Sequence, residues 1–362
     1  MDTGTKSYNI WFDELNRQSE ATKLIYLRWM GYFLERWGIP DAEELYRMKR
    51  EDLRSEDPRD TLRVEGMART FMAEKMREGL KANTVKMLVK ALKSFFSAQN
   101  TPFIIRPRDL PRGDTLGMRL ILKDQIAACY DSVGSENRLR NRALVMIAKD
   151  SGLRISDVSL LNVGHYRDAA LVKNGEGDPF RVFDPVETKK AKVNAHIHLG
   201  PEAILAVDAY LSSRGALSPD APLIRGRYGG RVGMNALSMQ FKRLTNHVNG
   251  AKKLGAHSFR KFHTTQLEAA GMPLNWIKKV QGKSLDASTG VYSKPEESGE
   301  LTASYVKAYD KLRVFGVDDV RQLRRELETE KAKQDERVTE MEAKLEQMKK
   351  RLEEIYEREK PR

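Results

Sequence analysis

The chain has one cysteine, Cys129, among 362 residues. An intrachain disulfide is therefore excluded, and a reducing compartment is the expected setting. Cys129 lies in an apolar stretch, where a buried small side chain is expected over a reactive thiol. Long apolar runs are missing too. Met1 to Tyr8 is polar and holds no signal-peptide core. No segment approaches the roughly 18 apolar residues of a membrane span, so a cytoplasmic protein is expected. There is no Gly-x-x-x-x-Gly-Lys-Ser/Thr loop to cradle nucleotide phosphates, and no Gly-x-Ser-x-Gly elbow to present a serine. His196 and His198 alternate along an expected strand and share a face, but no third ligand lies nearby. They are read as surface histidines. No cofactor and no metal are expected.

Charge is abundant and unevenly placed. The net charge is +13. Residues 318–362 hold 13 Lys+Arg against 14 Asp+Glu, a net of −1, so residues 1–317 carry +14. The basic excess belongs to the body of the chain and fits a surface that meets phosphates.

Periodicity divides the chain into four parts. Residues 1–100 read as helices, with apolar rows such as Trp29, Met30, Phe33, Leu34 and Trp37, and Asp41 as a cap. One helix is expected to open at Asp57-Pro58. Residues 101–117 carry Pro102, Pro107 and Pro111 among Arg106, Arg108 and Arg112, the composition of a basic linker. Residues 118–317 mix helices, including 138–151, 201–214, 234–248, 258–270 and 300–312, with short strands at 169–173, 180–186 and 192–199. In residues 318–362, Val338, Met341, Leu345, Met348, Leu352 and Ile355 recur in steps of 3 and 4 between charges, a heptad seam that predicts a coiled coil. The fold class is α+β: a helical N-terminal domain, a mainly helical second domain with a small antiparallel sheet, and a coiled-coil helix at the end.

Five segments carry chemistry. They are Gly152-Leu153-Arg154-Ile155-Ser156-Asp157, Thr188-Lys189-Lys190-Ala191-Lys192, His257-Ser258-Phe259-Arg260, Gly282-Lys283 and Gly290-Val291-Tyr292. Breaking a phosphodiester without a metal builds negative charge on the phosphoryl oxygens, and fixed cations must meet it. Arginine grips phosphate with a planar fork and stays charged, so Arg154 and Arg260 are candidates to hold the non-bridging oxygens. Tyr292 is the candidate nucleophile. A lysine whose pKa is lowered by neighbouring arginines can protonate the departing 5′ oxygen. Lys189, Lys190 and Lys192 all qualify, and counting back from the strand end at Leu199 favours Lys190. His257, one helical turn before Arg260, can donate to the phosphate or carry the tyrosine proton. His263, one turn after Arg260, is read as packing.

In order and spacing these segments resemble the tyrosine recombinase (phage integrase) family. That family has an Arg in a Gly-hydrophobic-Arg-x-x-Glu/Asp segment, a hairpin Lys, and His-x-x-Arg. It then has Gly-His or Gly-Trp with the second residue nine before the nucleophile. This chain departs from the pattern at Lys283, nine residues before Tyr292. Lys283 keeps a donor to phosphate and loses the flat ring. The site implied is Arg154, Lys190, His257, Arg260, Lys283 and Tyr292. The resemblance implies a prokaryotic, DNA-associated enzyme with a core-binding domain that clamps duplex DNA. It also implies a 3′-phosphotyrosine intermediate and a homotetramer on two synapsed sites, with a monomer or dimer off DNA and added self-association through the coiled coil. The resemblance is greatest to integrases of archaeal viruses and plasmids, which implies integration and excision of a mobile element. Xer-like dimer resolution, type IB topoisomerase-like relaxation and a degenerate DNA-binding protein are the alternatives.

Overall fold

The computed structural model describes residues 4–57, 60–113, 120–131, 137–226, 228–250, 254–285 and 294–316, with scattered positions between 318 and 349. The chain divides into two compact units, Met1–Gly117 and Met118–Arg362. No helix among the described residues is long and apolar enough to cross a membrane.

The first unit is helical: α1 (Lys6–Leu15), α2 (Glu20–Trp37), α3 (Ala42–Arg54), α4 (Arg63–Arg77) and α5 (Ala82–Ala98), then one 3₁₀ turn at Pro107–Asp109. Trp11, Phe33, Phe71, Phe95 and Phe96 are fully buried at its centre. Each such ring contributes about 1.5–3 kcal/mol over its exposed state. The Ser19 hydroxyl accepts the Thr22 N–H and the Asp41 carboxylate accepts the Glu44 N–H, which caps α2 and α3. Helix α4 starts at Arg63, later than the Asp57-Pro58 start that the sequence suggests. The reason is a cap supplied from another helix. Asp52 of α3 accepts the Val64 N–H and the Arg63 Nε–H, both at 2.9 Å.

In the second unit the elements are α6 (Lys123–Asp131), α7 (Arg138–Ser151), α8 (Ile155–Val158), α9 (Val163–Arg167), β1 (Ala170–Lys173), β2 (Pro179–Val182), β3 (Val186–Glu187), β4 (Asn194–Ala195), β5 (His198–Leu199), α10 (Pro201–Ser212), α11 (Met234–Asn246), α12 (Ala256–Ala269), α13 (Leu274–Val280) and α14 (Glu300–Leu312). The strands form two antiparallel sheets, β1-β2-β5 and the hairpin β3-β4. The expected strands 180–186 and 192–199 are each split. Pro185 has no N–H to extend the ladder, and the His196 N–H turns away to the Lys279 carbonyl.

Helix α7 is the axis of this unit, with every residue from Ala143 to Ser151 buried. Lys149 lies inside it with no exposure, between Asp150 at 2.5 Å and Glu202 at 2.6 Å. Burial opposes its charge, but the two carboxylates outweigh burial and hold its pKa above the ordinary lysine value. Glu202 in turn accepts the N–H groups of Val314 and Phe315, and Tyr309 of α14 donates to Asp150 at 3.2 Å. Helix α14 thus docks on its own domain, with Tyr305 and Tyr309 buried. His198 corrects the sequence reading. It is 1% exposed. Its ring bonds the His196 carbonyl at 2.8 Å and the Thr302 hydroxyl at 2.9 Å, and it stacks on Tyr305. Burial pushes its pKa down to about 4, so it is a neutral core histidine. Cys129 is buried as expected, and burial pushes its thiol up to about 12. Among the heptad residues of the tail, Val338, Leu345, Leu352 and Ile355 lie outside the described residues.

Candidate active site

The site begins where α7 stops. Gly152 takes φ +56°, and a Cβ there would lie 2.6 Å from Gln281 Nε2 and 2.7 Å from the His263 ring. Only glycine fits both the conformation and the space. The chain then turns into extended backbone at Arg154, the residue that caps α8. Arg154 Nη1 donates to the Gly282 carbonyl at 3.0 Å, and the buried Asp157 carboxylate lies 4.0 Å from it.

Asp157 also fastens the β3-β4 hairpin, since its Oδ1 accepts the Lys189 N–H at 3.0 Å. The Thr188 hydroxyl closes the hairpin by donating to the Val193 carbonyl. Lys189 and Lys190 are exposed on the turn. Lys192 pairs with Glu187 at 3.1 Å. Among the described residues Lys190 forms no hydrogen bond to the arginines.

Helix α12 supplies His257 in its first turn and Arg260 one turn later, and Arg260 is 3% exposed. Its Nη1 donates to the Gly152 carbonyl at 2.9 Å and the Gln281 carbonyl at 3.0 Å. Nη2 has no partner among the described residues. One half of the fork is therefore held by backbone while the other half keeps a donor. Burial and the nearby Arg154 charge push Arg260 down to about 10, so it remains a cation at neutral pH.

Gly282 mirrors Gly152. It takes φ +61°, and a Cβ there would collide with the Thr188 methyl and Ala195 of the hairpin. This close approach seats the end of α13 on the β3-β4 hairpin. Burial, then Arg260 and Arg154, push Lys283 down to about 8. Burial, then Arg260, Lys283 and Arg154, lower His257 below its ordinary value. The backbone bonds of Arg154 to Gly282 and of Arg260 to Gly152 and Gln281 join the segments that carry Arg154, Arg260 and Lys283, and His257 lies on the same helix as Arg260. Tyr292 lies outside the described residues. On its C-terminal side Glu296 accepts from the Lys279 ammonium at 2.6 Å.

Sequence reasoning passed over Gln281. It is fully buried, and its Nε2 lies 2.7 Å from His263 Nδ1, 3.0 Å from the Thr264 hydroxyl and 3.2 Å from the Arg260 carbonyl. It joins the α13 terminus to the helix that carries Arg260. Its position before Gly282 was the one available signal. His263 is fully buried, and burial with Arg260 pushes it down to about 3. It is a neutral partner of Gln281.

Residues 119–298 match the phage integrase family. The chain is 24% identical over 236 residues to tyrosine recombinase XerC of Xylella fastidiosa, covering 62% of this chain and 74% of that protein. It is 21% identical over 254 residues to tyrosine recombinase XerC of Rickettsia africae, covering 67% and 79%. Among solved structures, the Tn1549 transposon integrase in complex with transposon right end DNA has a similar fold. The TM-score is 0.52 at 18% identity, over 83% of this chain and all of that one.

Proposed function

The chain belongs to the phage integrase family of tyrosine recombinases, and from that premise we propose that it integrates and excises a mobile element through Tyr292. The Tyr292 phenol oxygen attacks phosphorus, the bond to the 5′ oxygen breaks, and a 3′-phosphotyrosine remains. Arg154 and Arg260 neutralise the charge that grows on the non-bridging oxygens. Lys190 protonates the departing 5′ oxygen. His257, neutral in the free protein, accepts the phenol proton. Lys283 adds a donor to the phosphate. A 5′ hydroxyl from a second strand reverses the step, so the bond energy is conserved and no nucleotide is consumed. Four subunits on two sites are the assembly this exchange requires.

One observation carries the reading. The buried Arg260 fork is fixed on one nitrogen by two carbonyls and unpartnered on the other, with Arg154 and Lys283 close enough to shift its neighbours' titration. Such cations have no use for a neutral ligand.

Xer-like dimer resolution is the second reading, favoured by the XerC names of the curated relatives. The test uses plasmids with two marked sites. An integrase joins an attachment site from the element to a different chromosomal site, whereas a resolvase exchanges two identical ones. Relaxation of supercoils without any exchange would contradict both readings.

A further inference from the structure

The far end of α7 carries a second cluster of cations. A cleft of about 560 Å³ is lined by Arg138 and Arg140 of α7, Arg214 after α10, Arg225, and Arg243 of α11. Tyr210 and Gln240 add neutral polar groups, and no carboxylate lines it among the described residues. Helix α7 has 14 residues between this cleft and Gly152, about 21 Å at 1.5 Å per residue. The cleft is therefore separate from the cluster around Arg260.

Backbone and amide groups hold these arginines in place. Arg214 Nη1 donates to the Pro222 and Leu223 carbonyls at 2.9 and 3.0 Å. Arg140 Nε donates to Asn141 Oδ1 at 3.3 Å, and its Nη1 lies 3.5 Å from the Arg225 carbonyl. Arg214 Nε is buried with no partner among the described residues. No ion pair to a carboxylate forms at any of the five among those residues. Burial lowers the proton affinity of Arg140 and Arg214, and the Arg225 charge acts in the same direction.

Like charges gathered with no carboxylate partner among the described residues oppose folding. The helix α7 N-terminus adds its own partial positive charge. A surface that keeps this arrangement is built for an anion, and guanidinium forks match the tetrahedral oxygens of phosphate. We propose that the cleft is a second phosphate-binding site, remote from the Arg154–Arg260 cluster, for a phosphate group of a polyanion. Its sources are a backbone phosphate of bound duplex DNA or a free polyphosphate.

The test uses the full chain with Arg138→Gln and Arg243→Gln combined. Both side chains are exposed on the rim. The control is Lys242→Gln with Lys311→Gln, the same charge change outside the cleft, and circular dichroism checks that both variants fold. Duplex affinity is measured against salt, and tripolyphosphate binding by calorimetry. If the source is DNA, the slope of log K against log salt falls by about 0.9 for each lost contact, and the control keeps the wild-type slope. If the source is a free polyphosphate, one tripolyphosphate site disappears and the duplex slope stays. A double variant that matches its control in both measurements overturns the proposal. Covalent adduct formation by Tyr292 is read separately, so failure of the catalytic reading leaves this result interpretable.

Discussion

Arg260 Nη1 donates to the Gly152 carbonyl at 2.9 Å, which ties the helix carrying one candidate arginine to the turn that launches the other, Arg154. The two arginines are thus set by one backbone junction. It exists because Gly152 accepts φ +56° with no room for a side chain. Gly152→Ala is expected to cost about 1–2 kcal/mol for the left-handed backbone alone, and more for the collision with Gln281 and His263. A thermal midpoint unchanged from wild type would contradict this packing.

Gln281 is expected to matter without touching DNA. Gln281→Leu leaves the His263 ring and the Thr264 hydroxyl without their amide partner. The penalty for such buried polar groups is about 1–3 kcal/mol. Urea unfolding measures the loss. Single-turnover cleavage at saturating duplex should slow as Arg260 loses its fixed orientation, whereas wild-type kinetics would show that Arg260 needs no such support.

These two residues also show what can be read from the sequence alone. Helices 138–151 and 300–312 were legible because their apolar rows are long and their ends are marked, by Gly152 after the first and by Gly299 with Glu300 at the start of the second. Arg154, His257, Arg260 and Lys283 could be picked out as candidates because phosphate chemistry restricts both residue type and order. Gln281 was not, since its partners come from a helix turn 17 to 21 residues upstream. His198 was misread for a similar reason. Strand alternation pairs it with His196, but its burial comes from Thr302 and Tyr305, over 100 residues later. The start of α4 was missed because its cap, Asp52, belongs to another helix.

The proposed role of Lys283 at the phosphate predicts a pH dependence of cleavage. The Lys283 pKa is about 8, so the protonated amine, the form proposed to meet phosphate, is present below that pH and lost as pH rises through it. The single-turnover cleavage rate should fall on the alkaline side, with the midpoint moved upward when the phosphate is bound. Lys283→Gln should be slower at neutral pH and should lack that limb. An identical alkaline limb in Lys283→Gln would assign it to another group. For stability the sign is opposite. The folded value lies below the ordinary 10.5, so this group favours folding increasingly as pH rises from about 8 to 10.5.

The Lys279–Glu296 pair tethers the segment that follows Tyr292. Glu296→Gln removes the charge at 2.6 Å from Lys279. Small displacements of a reacting group cost up to about 100-fold in rate, and a fall of about tenfold in cleavage is expected with duplex affinity unchanged. Loss of affinity in step with rate would place the pair in DNA binding instead of positioning.

Cleavage itself is best tested with a nicked suicide duplex, on which a covalent protein–DNA adduct accumulates because the released strand diffuses away. Wild-type protein is expected to form the adduct, Tyr292→Phe to form none, and Arg260→Ala to form it at least about 100-fold more slowly. An adduct that persists in Tyr292→Phe would contradict the assignment of the nucleophile.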